Sequence, residues 1–218
     1  MTSHYALRVL LAIILILVAV NVYAVPTNLL FNPGFETPAV GVPPGMPVIY
    51  DSLCLGGGSA ADSWGVWMNE CNGYMETALV PSTLPGGGDY MLEVTFDGLY
   101  SGIYQEFLPF NTGPAHAFGS AWIYLKSGSC VGIGMGNDGS FSVTSSTCVA
   151  RQWIHLTTLN GVSPANEFVV YSIIPSGFVL TDFYVDNVSV TSIPEPASMT
   201  LLLVGTAEVL RRRLGKAK

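Results

Sequence analysis

The chain has 218 residues, half of them hydrophobic, with fifteen acids against eight bases and a net charge of −7. The basic residues crowd the two ends. Between Val25 and Ser192 thirteen acids face only Lys126 and Arg151, a net of −11, which repels nucleic acid and anionic lipid and suits neutral glycans or cations.

The first 24 residues read as an export signal. Arg8 is the basic n-region, Val9 to Val20 the apolar h-region, and Val22-Tyr23-Ala24 carries small residues where a signal peptidase reads them. Removing residues 1–24 and the tail from 193 onward leaves 25–192, enough chain for one well-buried domain.

That region reads as all-β. Gly and Pro punctuate it throughout and no amphipathic helical stretch stands out. Asp89 to Phe96 alternates Tyr90, Leu92, Val94 and Phe96 with Met91, Glu93 and Thr95. Gly119 to Leu125 alternates Ala121, Ile123 and Leu125 with Ser120, Trp122 and Tyr124. Residues 152–159, 167–174 and 182–191 are further strands. Many short strands with Gly/Pro turns predict a sandwich.

Four cysteines, Cys54, Cys71, Cys130 and Cys148, follow the signal, an even number for an oxidising compartment. Of three possible connectivities, Cys54–Cys71 with Cys130–Cys148 is favoured by a hairpin. Val131, Ile133 and Met135 alternate with glycines, Asn137-Asp138-Gly139-Ser140 signals a turn, and Phe141 resumes β character. A three-residue loop at 138–140 places 137 opposite 141 and 130 opposite 148, whereas a two-residue loop misses by one. Directly opposed residues lie within disulfide range.

Enzyme signatures are lacking. His116 and His155 have no nucleophile motif around them, and no carboxylate pair stands out as a glycosidase pair. The expectation is a non-enzyme. Glycan binding needs flat aromatic faces beside polar groups. Trp64, Trp67 and Tyr74 fall in an irregular Gly-rich region, Tyr100 in a loop and Tyr104 at a strand start, while Trp122 and Tyr124 share one strand face. Trp64, Trp67, Tyr100, Trp122 and Tyr124 are the candidate platform residues, with core or rim packing as the alternative for each.

The C-terminus is built in three parts: Pro194-Glu195-Pro196, an apolar run from Ala197 to Leu210, and Arg211-Arg212-Arg213. The prolines hold the backbone extended around Glu195, and the arginines stay cytoplasmic under the positive-inside rule. Fourteen helical residues reach only about 21 Å, short of a bilayer core of roughly 30 Å. Glu208 inside the run costs about 2.5–3.5 kcal/mol at mid-membrane, relieved where it pairs with Arg211 or Arg212. In order and position these parts resemble the PEP-CTERM sorting tail of exported proteins in exopolysaccharide-producing Gram-negative bacteria. That resemblance implies transient retention in the inner membrane by a short C-terminal transmembrane helix. An exosortase-type membrane protease then cleaves near Pro-Glu-Pro, and the product reaches the cell surface or extracellular matrix. A plain single-pass anchor is the alternative.

The domain opens on Asn28-Leu-Leu-Phe-Asn-Pro-Gly-Phe-Glu36 and closes on Asp182-Phe-Tyr-Val-Asp-Asn-Val-Ser-Val190. Between them stand Gly88-Asp89-Tyr90, Gly102-Ile-Tyr-Gln105 and Ser120-Ala-Trp122. The whole is similar to carbohydrate-binding modules of the galactose-binding-like jelly-roll fold. The resemblance implies a jelly-roll β-sandwich with adjacent first and last strands, polysaccharide as a partner, and a structural calcium ion. The calcium would be held by Glu36, the Gly34 carbonyl and Asp186, with Asp89 a further possible ligand. Two carboxylates forced together suit Ca²⁺; the alternative is that Glu36 and Asp186 cap turns. The aromatic platform is expected to be separate from them. Two rival functions stay open: a surface or matrix scaffold without glycan binding, and a glycan hydrolase.

Overall fold

The computed structural model describes residues 28–51, 57–68, 73–97, 101–107, 117–137, 140–158, 165–173 and 180–192. The expected export signal and sorting tail, with Tyr100, Cys54 and Cys71, lie outside the described residues. What is described is an all-β jelly-roll sandwich of two antiparallel sheets. Its strands are β1 (Val48–Asp51), β2 (Gly57–Gly58), β3 (Gly65–Trp67), β4 (Tyr74–Pro81), β5 (Tyr90–Asp97), β6 (Gly102–Glu106), β7 (Ala117–Ser127), β8 (Cys130–Asn137), β9 (Ser140–Thr147), β10 (Trp153–Thr158), β11 (Glu167–Ile173) and β12 (Thr181–Ser192). Sheet 1 runs β1-β4-β5-β12-β7-β10 and sheet 2 runs β2-β3-β6-β11-β8-β9. The chain crosses between sheets repeatedly, so most pairings join distant segments.

The alternation read from sequence sets which side of each strand faces inward. Leu92, Val94 and Phe96 of β5, Ala121, Ile123 and Leu125 of β7, and Phe183 and Val185 of β12 point inward from sheet 1. Ile103, Val131, Ile133, Met135, Phe168 and Val170 meet them from sheet 2. All are essentially inaccessible, and each such side chain contributes about 1.5–3 kcal/mol on leaving water. The odd-numbered β5 residues and the aromatic β7 residues are thereby turned to the outer face of sheet 1.

Three elements differ from the sequence reading. The opening motif is not a strand, although it lies beside the closing one. Leu29 N–H donates to the Val190 carbonyl (2.7 Å), Val188 N–H to the Pro33 carbonyl (2.8 Å), and Asn28 bonds both Val188 and Val190. Pro33 and the left-handed backbone at Asn32 and Phe35 (φ 45° and 59°) break any regular ladder there. Second, Tyr74 begins a full strand. Met75 and Leu79 of β4 face the core, but Ala78 on the other side is buried too, which blurs the period-two signal in the sequence.

The third difference lies in the β8–β9 hairpin. Asn137 pairs with Ser140, leaving the two-residue Asp138-Gly139 connection rather than three residues. A bulge then intervenes, because Gly134 pairs with Val143 but Ile133 pairs with Ser145. The extra residue restores the offset, so Val131 meets Thr147 and Cys130 bonds Cys148. The expected disulfide is present, reached by a bulge instead of a longer loop.

Candidate cation pair and aromatic faces

Glu36 and Asp186 are near one another, as the resemblance implied. Glu36 accepts the backbone N–H groups of Asp89 (3.0 Å) and Tyr90 (3.4 Å). Asp186 is fully buried and accepts the Ser82 hydroxyl and the Asn187 N–H, both at 2.6 Å. Burial pushes the Asp186 carboxyl up; the two bonds pull it down, and the nearby charge of Glu36 raises it again. Gly34 lies beside Glu36 and Asn187: a Cβ there would stand 3.7 Å from Asn187 Oδ1 and 3.8 Å from Glu36 Oε1.

The β4–β5 loop completes this site, which the sequence reading had only touched through Asp89. A Cβ at Gly88 would fall 1.7 Å from Glu36 Oε1, and one at Gly87 would fall 2.7 Å from Asp186 Oδ2. Glycine at both positions leaves room for that loop to lie against the two carboxylates as they stand. Asp89 contributes its backbone N–H; Ser82 and Asn187 were not anticipated. Phe35 and Asn187, each next to one of the carboxylates, both have positive φ, the kind of backbone cost that gathers at ligand clamps. Phe35 is held there by burial against Trp64, ring centroids 4.9 Å apart.

The oxygen-only donor set suits Ca²⁺: two carboxylates, the Asn187 side-chain oxygen and the Gly34 carbonyl. Both ion pairs among the described residues belong to Lys126, so neither carboxylate is neutralised by one of them. Among the described residues no three His, Cys, Asp or Glu side chains cluster as a metal site; amide, carbonyl and water oxygens would have to supply the rest. The bonds each carboxylate accepts are also those a turn cap makes.

The candidate platform residues divide into three groups. Trp64 is in the core, 2% exposed, its indole N–H donating to the Asn32 carbonyl at 3.1 Å, and it presents no ring face to solvent. Trp67 lies on the outer face of sheet 2. Trp122 and Tyr124 lie on the outer face of sheet 1, opposite in direction to Ala121 and Ile123, as expected.

On sheet 2, Trp67 packs edge-on to Tyr104 (6.1 Å) and tilted against Tyr171 (6.2 Å). The register places Tyr104 beside Gly65 and Val169, Tyr171 beside Gly102 and Gly132, and Glu106 directly opposite Glu167. Glycine makes this arrangement possible, since a Cβ at Gly65 would lie 2.6 Å from the Tyr104 ring. Val169 and Tyr171 point away from the core yet are fully buried, while Trp67 and Tyr104 are half-buried and Glu106 is exposed. The face is thus recessed, with Trp67, Tyr104 and Glu106 on its accessible side. Burial raises the Tyr104 hydroxyl pKa, and the charges of Glu106 and Glu167 raise it further. The hydrophobic pattern gave no sign of this juxtaposition of Glu106 and Glu167.

On sheet 1 a different aromatic patch crosses β12, β7 and β10. Tyr184 meets Tyr124 (5.8 Å), Tyr124 meets Trp153 (5.5 Å), and Trp122 stacks on His155 (4.8 Å). Lys126 borders it, 4.9 Å above the Tyr184 ring and bonded to Glu93 and Asp182. Burial works against the Lys126 ammonium, but its bonds to Asp182 and Glu93 and their charges outweigh that and hold its pKa above the ordinary range. Asp186 lies directly opposite Trp122 in the β12–β7 register. The carboxylate pair and this patch therefore adjoin, where the sequence reading had them separate.

No protein-family model and no curated protein matches the chain. Among solved structures it is similar to the C-terminal family 22 carbohydrate-binding module of Clostridium thermocellum Xyn10B, at 15% identity over 61% of this chain and 88% of that one, TM-score 0.44. TmCBM61, solved in complex with β-1,4-galactotriose, is similar at 12% identity over 77% of this chain and 99% of that one, TM-score 0.43. A family 11 carbohydrate-binding module from Clostridium thermocellum, in complex with a β-1,3-1,4-mixed-linked tetrasaccharide, is similar at 14% identity over 68% and 97%, TM-score 0.41.

Proposed function

We propose that this chain is an exported, non-catalytic polysaccharide-binding protein whose glycan site is the recessed outer face of sheet 2. The observation that carries this reading is the convergence of Trp67 and Tyr104 with Glu106 on one accessible rim. A sugar ring stacks its C–H face on an aromatic ring, and a neighbouring carboxylate accepts its hydroxyls. The net charge of the domain favours a neutral glycan. Binding of the purified protein to a panel of neutral polysaccharides tests it. Truncating an aromatic anchor costs about 2 kcal/mol, so Trp67→Ala weakens binding about thirtyfold. Binding unchanged in Trp67→Ala and Glu106→Gln overturns the site.

A second reading has one observation behind it. Glu106 and Glu167 stand directly opposite each other on β6 and β11, and a glycosidase works with two carboxylates that face one another. Reducing-sugar release that disappears in Glu106→Gln would establish it.

The calcium assignment is part of the same proposal: Glu36, Asp186, the Asn187 side chain and the Gly34 carbonyl would hold a structural ion, which supplies charge neutralisation and chain closure. The sorting assignment rests on the order of Pro194-Glu195-Pro196, apolar run and Arg211-Arg212-Arg213. It places the protein transiently in the inner membrane, then at the surface or in the matrix after cleavage by an exosortase-type protease. Intact mass of the released protein should end near Glu195; a released chain ending at Lys218, in a host with exosortase, contradicts it.

A further inference from the structure

Four aromatic side chains and an imidazole occupy the outer face of sheet 1, and the glycan site proposed above makes no use of them. Trp122, Tyr124, Trp153 and Tyr184 are each half-buried, and His155 is exposed. They form one contiguous patch over three neighbouring strands. Their positions alternate with core residues, so the pattern that fills the core does not explain them: Leu125, Ile123 and Ala121 pack inward whatever stands at 122 and 124.

Two occupants suit an exposed ring surface: a sugar chain or a second copy of the domain. Among the described residues the large exposed hydrophobic ones are Phe31, Val40, Met46, Ile49, Val149 and Leu180. Only Ile49 among them belongs to a strand of sheet 1, on β1, four strands from β7 in the sheet. The patch is therefore ring-rich with polar handles, the two tyrosine hydroxyls, the indole N–H groups, His155 and Thr157, rather than greasy. A face-to-face copy would also set one strongly acidic domain against another, and like charges across an interface cost affinity. A neutral glycan avoids that repulsion. The acids nearest Tyr184, Glu93 and Asp182, are bridged by Lys126, and the Glu36 and Asp186 carboxylates at the Trp122 end are engaged by backbone N–H groups and the Ser82 hydroxyl.

The two sheets stack with their outer faces turned in opposite directions. We propose that the outer face of sheet 1 is a second surface for neutral polysaccharide, and that one molecule bridges two glycan strands. This rests on the glycan-binding reading above. Bridging multiplies attachment along a polymer without any new contact, and it would make the protein a cross-linker of the matrix.

The test uses the purified protein with xylan, mixed-linkage β-glucan and β-1,4-galactan, and with short oligosaccharides of whichever polymer binds. Wild type should bind two oligosaccharides per chain and cross-link the polymer into sedimenting aggregates. Trp122→Ala with Trp153→Ala should keep one site at wild-type affinity, weaken the other about thirtyfold and abolish cross-linking. Trp122→Tyr with Trp153→Tyr, which keeps ring faces, should restore cross-linking and so separates loss of the surface from loss of the fold. A single oligosaccharide site, lost in Trp67→Ala and indifferent to Trp122 and Trp153, overturns the second surface while leaving the first reading intact. Glycan-free dimerisation abolished by the alanine pair assigns the patch to a second copy and overturns it as well. Failure of wild type to bind any of the polymers sinks both readings.

Discussion

The outer faces of the two sheets are stocked with the same residue types, tryptophan, tyrosine and glutamate or aspartate, and arrange them to different ends. On sheet 1 the acids Glu93 and Asp182 share Lys126, which also sits over Tyr184; charge is settled within the patch and the rings lie across it. On sheet 2, Glu106 faces Glu167 across the ladder, close enough to Tyr104 to raise its pKa. Glycine at Gly65 lets the Tyr104 ring lie against the backbone, and Gly102 lets β11 approach closely at Tyr171. The first face carries an internal ion-pair network, the second a recess with two carboxylates facing across its ladder. Composition does not distinguish them; register does.

The largest expected effect bears on the recess. The Cys130–Cys148 bridge closes the β8–β9 hairpin, and β8 supplies the glycine floor. Replacing both cysteines by alanine should lower stability by about 2–4 kcal/mol. At roughly 2–4 °C per kcal/mol for a chain of this size, the melting temperature should fall by about 4–16 °C. Non-reducing peptide mapping should find Cys130 joined to Cys148. An unmoved melting temperature would show that the floor is held without the bridge.

Next comes the carboxylate pair, which borders the sheet 1 patch. Saturating calcium at one hundred times Kd should add about 2.7 kcal/mol, seen as a raised melting temperature that a chelator reverses. Glu36→Ala and Asp186→Ala should each remove most of that response, and Asp138→Ala should leave it. Because Asp186 stands opposite Trp122, Asp186→Ala should disturb the tryptophan signals of sheet 1 before those of sheet 2. Proton linkage gives an independent check in chelator. The folded pKa of Asp186 is raised above 3.8, so its contribution is full below the ordinary carboxylate value and is lost as pH rises through the raised one. Asp186→Asn should therefore flatten part of the stability slope just above pH 4. A slope and a calcium response that are both unchanged would reduce the pair to turn caps.

The smallest effect concerns Lys126. Its ion pairs are partly solvated, with side chains 19–29% exposed, so Lys126→Met should cost about 1 kcal/mol or less. It should also shift the Tyr184 environment while leaving the recess unaffected. A large loss would mean that sheet 1 depends on its charge network more than on its core.

Much of the fold was legible because one face of most strands is dry. Leu92, Val94 and Phe96, or Ala121, Ile123 and Leu125, can only belong inside, and their spacing of two is a strand's. The disulfide was legible from register arithmetic, although the arithmetic assumed an unbulged hairpin, and bulges leave no mark in a Ser/Thr-rich strand such as β9. The joining of Glu36 to Asp186 followed from the two end motifs. Ser82, Gly87 and Gly88 were not read as part of it, because the approach of one loop to carboxylates far from it in the chain, Glu36 before it and Asp186 after it, is a tertiary fact. Trp64 illustrates the converse: a tryptophan in a glycine-rich loop looked available, but the strained turn at Phe35 tucks it into the core. Tyr171 and Glu167 escaped notice because β11 is buried on both faces, which erases the alternation that would have marked an outward row.

On the proposed reading glycan meets the sheet 2 recess through Trp67, and tryptophan indole N–H resonances followed in a sugar titration report that contact. The four tryptophans sample three environments: Trp64 in the core, Trp67 in the recess, Trp122 and Trp153 on sheet 1. Adding a soluble oligosaccharide of a polymer the protein binds should shift the Trp67 resonance saturably and leave Trp64 in place. A Trp67 signal that stays fixed at saturation, whatever the other three do, would contradict the recess as the binding site.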